Sequence, residues 1–226
     1  MAHWPLERWL DQDVLDSSLY AEAITHRSAG GKNNERLEYL GDAVLGTIIA
    51  EHLFRTHTSA KEGDLSRLRA YLVRKETLAG IAKELCLSEI IALGPGELKS
   101  GGHRRDTILS DTLEAIIGAV YLTKGFEYAK LFVLGLFQSR IAGLPRPEQL
   151  KDPKTKLQEY LQARNLPLPE YRLREISGES HAQHFRMLCY VQGPAVETVG
   201  EGGSKREAEQ QAASKALDII HGKYDD

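Results

Sequence analysis

Two cysteines in 226 residues, Cys86 and Cys189, are too few for a disulfide framework. Cys86 falls in a helical pattern and Cys189 on the inward side of a strand pattern, so both are expected to serve as small core residues. The eight histidines show neither HExxH nor CxxC-type spacing, which argues against a zinc site. Aromatic residues are scarce, at 7%. No apolar run approaches the ~20 residues of a membrane span, and MAHWPLERWLDQD (1–13) has early acids and no apolar core of a signal peptide. The expectation is a cytoplasmic protein with no membrane partner. Basic charge is also lacking: the formal net charge is −3. A nucleic-acid site would therefore have to be a local patch, and RLRAYLVRK (67–75), HRR (103–105) and SKR (204–206) are the available clusters.

What is present is helix, then a change of pattern. From residue 5 to about 142 apolar residues recur with helical period over 5–11, 17–24, 34–57, 62–74, 75–86, 106–124 and 126–141, separated by turns such as SAGGKN, LGPGE and KSGG. No strand stands out there. GLPRPEQLKD (143–152) reads as a linker. Asp152 then resembles an N-cap with Pro153 in the first helical position, opening TKLQEYLQARN. Strand patterns follow at 170–177, 184–191 and 195–200, and SKRE (204–207) is a capping box opening a last helix to about 220. The expected fold is multidomain: an all-α domain over 1–143, a linker over 144–151, a small α+β unit of order α-β-β-β-α over 152–221, and a short tail over 222–226.

The stretch NERLEYLGDAVL (34–45) places three carboxylates in an apolar helix. At about 100° per residue Glu35 and Asp42 lie almost on one line, with Glu38 about 60° to the side. A solvated charged face would carry interleaved lysine or arginine, and this one does not. Carboxylates near a core cost several kcal/mol each unless a cation sits among them. A second segment, SDTLEAIIGAVYL (110–122), repeats the pattern with Asp111 and Glu114. Acids near a helix N-terminus are favoured by the dipole, so this pair alone would decide nothing. Two apolar helices that each carry a small residue for close approach, Gly118 in the second, can bring Glu38, Asp42, Asp111 and Glu114 together. An all-oxygen set of that kind suits Mg²⁺ or Mn²⁺, which would polarise a phosphoryl oxygen and activate water.

These segments resemble ribonuclease III, the double-stranded-RNA endonuclease family. NERLEYLGDAVL is similar to its signature, and THRS (25–28), EGDLSRLRA (62–70) and LSDTLEAIIGA (109–119) fall in order where that family has similar segments. The resemblance implies that Glu38, Asp42, Asp111 and Glu114 bind Mg²⁺, with Mn²⁺ able to substitute, and that Glu35 and Glu62 support them. It implies an endoribonuclease that hydrolyses both strands of an RNA duplex, leaves 5′-phosphate and 3′-hydroxyl ends with short 3′ overhangs, and acts as a C₂ homodimer. Processing and decay of structured RNA, ribosomal precursors and messengers among them, would follow. No small-molecule cofactor is implied.

The tail resembles a double-stranded-RNA-binding domain in PKTKLQEYLQ (153–162), GESHAQHF (178–185) and GEGGSKREAEQQAA (200–213). A-form RNA hides its bases, so a reader uses 2′-hydroxyls and phosphates across two minor grooves. Thr155, Gln158, Glu159 and Gln162 on the first helix suit one minor groove; His181, between the first two strands, suits the second. Ser204, Lys205 and Arg206 open the last helix, whose positive end favours phosphate. Many such domains have a further lysine where this chain has Glu209, and residues 150–226 hold eleven Lys and Arg against twelve Asp and Glu, so this unit alone should bind modestly. The rival readings are a double-stranded-RNA-binding regulator that does not cut, which would gain nothing from a buried acidic cluster, and a helical enzyme of diphosphate chemistry, which the RNA-binding tail disfavours.

Overall fold

A computed structural model describes residues 5–179 and 182–224. The chain separates into two compact units, one ending at Leu150 and the other beginning at Lys151.

The first unit is helical: α1 (Gln12–Leu15), α2 (Ser18–Ala23), α3 (Glu35–Thr56), α4 (Glu62–Val73), α5 (Lys75–Glu84), α6 (Pro95–Lys99), α7 (Asp106–Lys124) and α8 (Phe126–Ala142). The five longer helices fall where the apolar period places them. The N-terminus differs: the expected helix over 5–11 is only a 3-10 turn, Pro5–Arg8, and Asp11, with extended backbone, precedes α1, which the pattern did not give. LGPGE is also more than a turn: Gly94 is extended and Pro95 starts α6, a position where the missing N–H costs nothing. An isolated parallel bridge joins Thr25 to Ala92. Among the described residues no helix is long and apolar enough to cross a membrane.

The core is built on the crossing of α3 and α7. Leu37, Leu45, Ile48 and Ile49 of α3 and Leu113, Ile116 and Ile117 of α7 are buried in one cluster, each such side chain contributing about 1.5–3 kcal/mol. Two glycines set how closely the helices approach. A Cβ on Gly41 would overlap the Glu114 carbonyl oxygen, and one on Gly118 would overlap that of Leu37. Backbone therefore meets backbone at the point where Glu38 and Glu114 leave their helices. Gly46, by contrast, faces open space. Leu144 and Leu150, in the segment expected as a linker, pack against this core.

The second unit has the expected order: α9 (Pro153–Ala163), β1 (Glu170–Ser177), β2 (His184–Val191), β3 (Val196–Gly202) and α10 (Lys205–Tyr224). Its antiparallel sheet runs β1-β2-β3, with a bulge between Leu173 and Glu175. β3 starts one residue later than its pattern because Ala195 has positive φ, and it reaches Gly202, opposite Phe185. Helix α10 lays Ala208, Ala212, Ala213 and Ala216 on the sheet, and Gly200 allows the contact, since a Cβ there would overlap the Ala208 carbonyl. Cys189 is buried in this core as expected. Cys86 is not a core residue: it is half-buried, in a left-handed turn just after α5.

Candidate metal centre and nucleic-acid interface

Residues 25–28 are pinned before they reach the site. His26 N–H donates to the Ala92 carbonyl at 3.0 Å, Ala92 N–H to that of Ile24 at 2.8 Å, and Gly94 N–H to the Ser28 hydroxyl at 2.9 Å. Asn34 N–H then donates to the Thr25 carbonyl at 2.9 Å, which fixes where α3 begins.

From that start Glu38 and, across the glycine crossing, Asp111 and Glu114 converge. Each offers a carboxylate oxygen within 4.8 Å of the others, and all three are partly buried. Asp42 lies outside this set and is exposed, one turn along α3. It is still close enough to act by charge. Glu114 is pushed up to about 8 by desolvation first and then by Asp42, Asp111 and Glu38. Glu38 is raised by burial and by Asp111, while Asp111 is raised by burial, partly offset by the Ser110 hydroxyl and by the charges of Lys75, His26 and Arg27. Mutual repulsion of the carboxylates, only partly offset by these neighbouring cations, suits the cluster to a metal ion, and the donors are hard oxygens of the kind that Mg²⁺ or Mn²⁺ takes.

The two supporting acids occupy different surroundings. Glu35 is exposed and meets Arg27 Nη1 at 3.4 Å. Glu62 accepts from the Ser66 hydroxyl at 2.8 Å and shares with Asp42 a cavity of about 810 Å³ between α3 and α4.

In the second unit Gln158, Glu159 and Gln162 are exposed on α9. Glu159 is held by Lys151 at 2.6 Å. Thr155 is committed to the cap: Asp152 accepts from its N–H at 3.1 Å and its hydroxyl at 2.9 Å. His181 lies outside the described residues. The capping box forms, with the Ser204 hydroxyl accepting from Glu207 N–H at 3.2 Å, although Glu207 reaches back to Gly203 N–H rather than to Ser204. Several further cations of this unit are neutralised: Arg172 pairs with Glu170, Arg174 with Glu197, Arg186 with Glu175 and Glu201, and Lys154 with Glu209. Lys205 and Arg206 are exposed and, among the described residues, form no salt bridge, so they stand as charge at the positive end of α10.

Two features of the site were not read from the sequence. Gly41 is the α3 partner of Gly118, and its position three residues after Glu38 was the available signal. Asn34 is buried, with 2% of its surface exposed, and its Nδ2 has no hydrogen-bond partner among the described residues. Arg105, from the basic cluster HRR (103–105), is oriented by Glu97 at 2.6 Å.

The comparisons agree on two segments. A family model described as "Ribonuclease-III-like" matches residues 16–140, and one described as "Double-stranded RNA binding motif" matches residues 153–220. Proteins named "Ribonuclease 3" from Hahella chejuensis and Methylococcus capsulatus are each 52% identical to this chain, over 94% and 96% of it and 94% of each relative. A solved nuclease domain of ribonuclease III from Campylobacter jejuni, described with a flexible region involved in dimer formation, is 43% identical with a TM-score of 0.56. It covers 61% of this chain and 99% of that one.

Proposed function

The chain belongs to the ribonuclease III family, and on that premise we propose that it is an endoribonuclease that hydrolyses phosphodiesters on both strands of double-stranded RNA. The family is one of metal-dependent nucleases, and the observation that carries the reading here is the convergence of Glu38, Asp111 and Glu114 with Asp42 beside them. A regulator that only bound RNA would be weakened by such a cluster, which repels phosphate.

In this reading Glu38, Asp111 and Glu114 hold Mg²⁺, with Mn²⁺ as a substitute, and Asp42 adds charge next to Glu114. When bound, the ion would supply polarisation of a phosphoryl oxygen and activation of the attacking water, leaving 5′-phosphate and 3′-hydroxyl ends. The protein's own contribution is placement. The glycine crossing fixes α3 against α7, and the pinned 25–28 segment sets the start of α3. Residues 1–143 are assigned to catalysis and 152–221 to RNA binding, joined by 144–151. Lys205 and Arg206 meet phosphate, Ser204 caps the helix behind them, and Gln158, Glu159, Gln162 and His181 reach the minor grooves, with Thr155 holding the α9 cap.

Cutting both strands calls for two clusters, supplied by a C₂ homodimer. Tyr39 is 82% exposed and Phe54 71% exposed on α3, which also carries Glu38 and Asp42. Large apolar side chains so exposed suit an isologous contact along that helix; a monomer by light scattering at micromolar concentration would contradict it. A cytoplasmic address and structured ribosomal precursors and messengers as substrates complete the proposal. Its test is end-labelled RNA duplex, with single-stranded RNA and DNA duplex as controls, in Mg²⁺ and in EDTA. Staggered cuts on both strands of the RNA duplex alone, and only with metal, are expected; a duplex bound but left whole under every divalent metal tried overturns it.

A further inference from the structure

A second cavity, of about 500 Å³, opens on the other side of the acidic cluster and shares Glu38 and Asp111 with it. Its volume is that of a small-ligand site. His26, Arg27, Asn34 and Arg105 also line it, the two arginines beside their partners Glu35 and Glu97, so hydrogen-bond donors face Glu38 and Asp111 across the cavity.

The donors are held in place. Arg105 Nη1 donates to Glu97 at 2.6 Å and its Nη2 to the Ser100 hydroxyl at 3.1 Å, which orients the guanidinium. Ser28 N–H donates to His26 Nδ1 at 3.2 Å, leaving the proton of the neutral ring on Nε2. Asn34 is the sharpest case. It occupies the N-cap position of α3 yet makes no cap bond, its backbone being helical rather than extended, and Asn33 Oδ1 accepts from Glu35 N–H at 3.1 Å. The Asn34 amide is thus free of the duty its position would give it, and its Nδ2 is buried without a partner among the described residues. Leaving such a donor unmatched costs about 1–3 kcal/mol. A ligand acceptor would remove that cost.

We propose that this cavity is a subsite for one backbone phosphate of the RNA strand next to the scissile phosphodiester, bound by Arg105 and Arg27 with Asn34 Nδ2 donating to the same nucleotide. The proposal rests on the nuclease reading above. Phosphate is the fitting ligand because two guanidiniums and the unmatched Asn34 Nδ2 are donors, and because the neighbouring carboxylates would reject an anion unless it arrived tied to a strand already engaged at the cluster. The subsite sets where along the strand the cut falls, and Arg105 and Asn34 are its positioning residues.

The test is single-turnover cleavage by the full chain in saturating Mg²⁺. The substrates are RNA duplexes in which one phosphate at a time beside the cut is replaced by a neutral methylphosphonate on a 2′-deoxy sugar, each compared with the plain 2′-deoxy control. Wild type is expected to slow roughly 10- to 100-fold at one position. Arg105→Ala should slow by a similar factor on the natural duplex and show no further loss at that position. Asn34→Asp keeps the size of the side chain and exchanges the donor for an acceptor, so it should slow cleavage at least as much. Arg105 is half exposed, and its loss does not threaten folding. If wild type cuts but Arg105→Ala keeps full sensitivity to every methylphosphonate, the subsite is wrong while the nuclease reading stands. If both variants cut at the wild-type rate, the same conclusion follows. If wild type leaves every duplex whole, the nuclease reading falls and the subsite with it.

Discussion

Removing one charge from the acidic cluster should make the metal-free protein more stable, by an amount that grows with pH. Glu114 sits with its carboxyl pushed up to about 8, against 4.5 for the ordinary side chain, by desolvation and by Asp42, Asp111 and Glu38. The native chain therefore holds this proton more tightly than the unfolded one, and stability falls as pH rises from about 4.5 to about 8. At ~1.36 kcal/mol per pH unit the gap sets a ceiling near ~5 kcal/mol. Partial contact with water screens much of that, so ~2 kcal/mol is a fair expectation. Glu114→Gln carries no charge and escapes the penalty. In EDTA at pH 9 its melting temperature should exceed that of wild type by ~4–8 °C, from ~2–4 °C per kcal/mol for a unit of this size. Near pH 4.5 the two should agree. Saturating Mg²⁺ should stabilise wild type by mass action and close the gap at pH 9. Differential scanning fluorimetry across pH, with and without metal, reads all of this. Equal melting temperatures at pH 9 in EDTA would refute the reasoning, because they would show that the carboxylates are not crowded in the folded chain.

Gly41→Ala should destabilise the first unit by ~2–3 kcal/mol in urea melts and abolish cleavage, since its Cβ meets the Glu114 carbonyl and forces α3 away from α7. Asp152→Ala should speed hydrogen exchange at the start of α9, where the lost cap and the 2.8 Å bond from Gln210 together are worth ~1–2 kcal/mol. The Asp152 carboxyl itself is raised by burial but brought below its ordinary value overall by Gln210 and Thr155, so its stabilising effect should fade as pH falls through the carboxylate range. Glu209→Gln should free Lys154 from its 2.6 Å bridge, tighten RNA binding several-fold and steepen the salt dependence by ~1 in log–log slope.

Much of this architecture was legible because it is written in periodicity. Helices α3, α4, α5, α7 and α8 and the strands follow apolar spacing, and turn chemistry marks most of their ends. The acidic stripe was legible because it breaks the pattern, as carboxylates without cations in an apolar helix. Contacts that depend on three-dimensional crossing were less so. Gly118 reads as a close-approach residue, but its partner could be Gly41 or Gly46, and only the packing of α3 on Glu114 decides for Gly41. Asp42 shares a helical face with Glu38, yet the two separate because α7 crosses at Gly41, between them, and puts Asp111 and Glu114 nearer to Glu38. Asn34 opens α3 without capping it, and nothing in one dimension shows that its amide is left buried with no partner among the described residues. Cys86 falls in a helical pattern that ends just before it, in a turn with positive φ.

The central claim is that these carboxylates are the metal-holding core of a duplex-RNA nuclease, and one paired measurement tests it most directly: cleavage and binding of the same RNA duplex by wild type and Glu114→Gln in Mg²⁺. The account predicts that the variant loses cleavage by several orders of magnitude while its affinity for the duplex is kept or improved, because a negative charge near the phosphate has gone. A variant that cuts at the wild-type rate, or one that loses binding in step with activity, would contradict it.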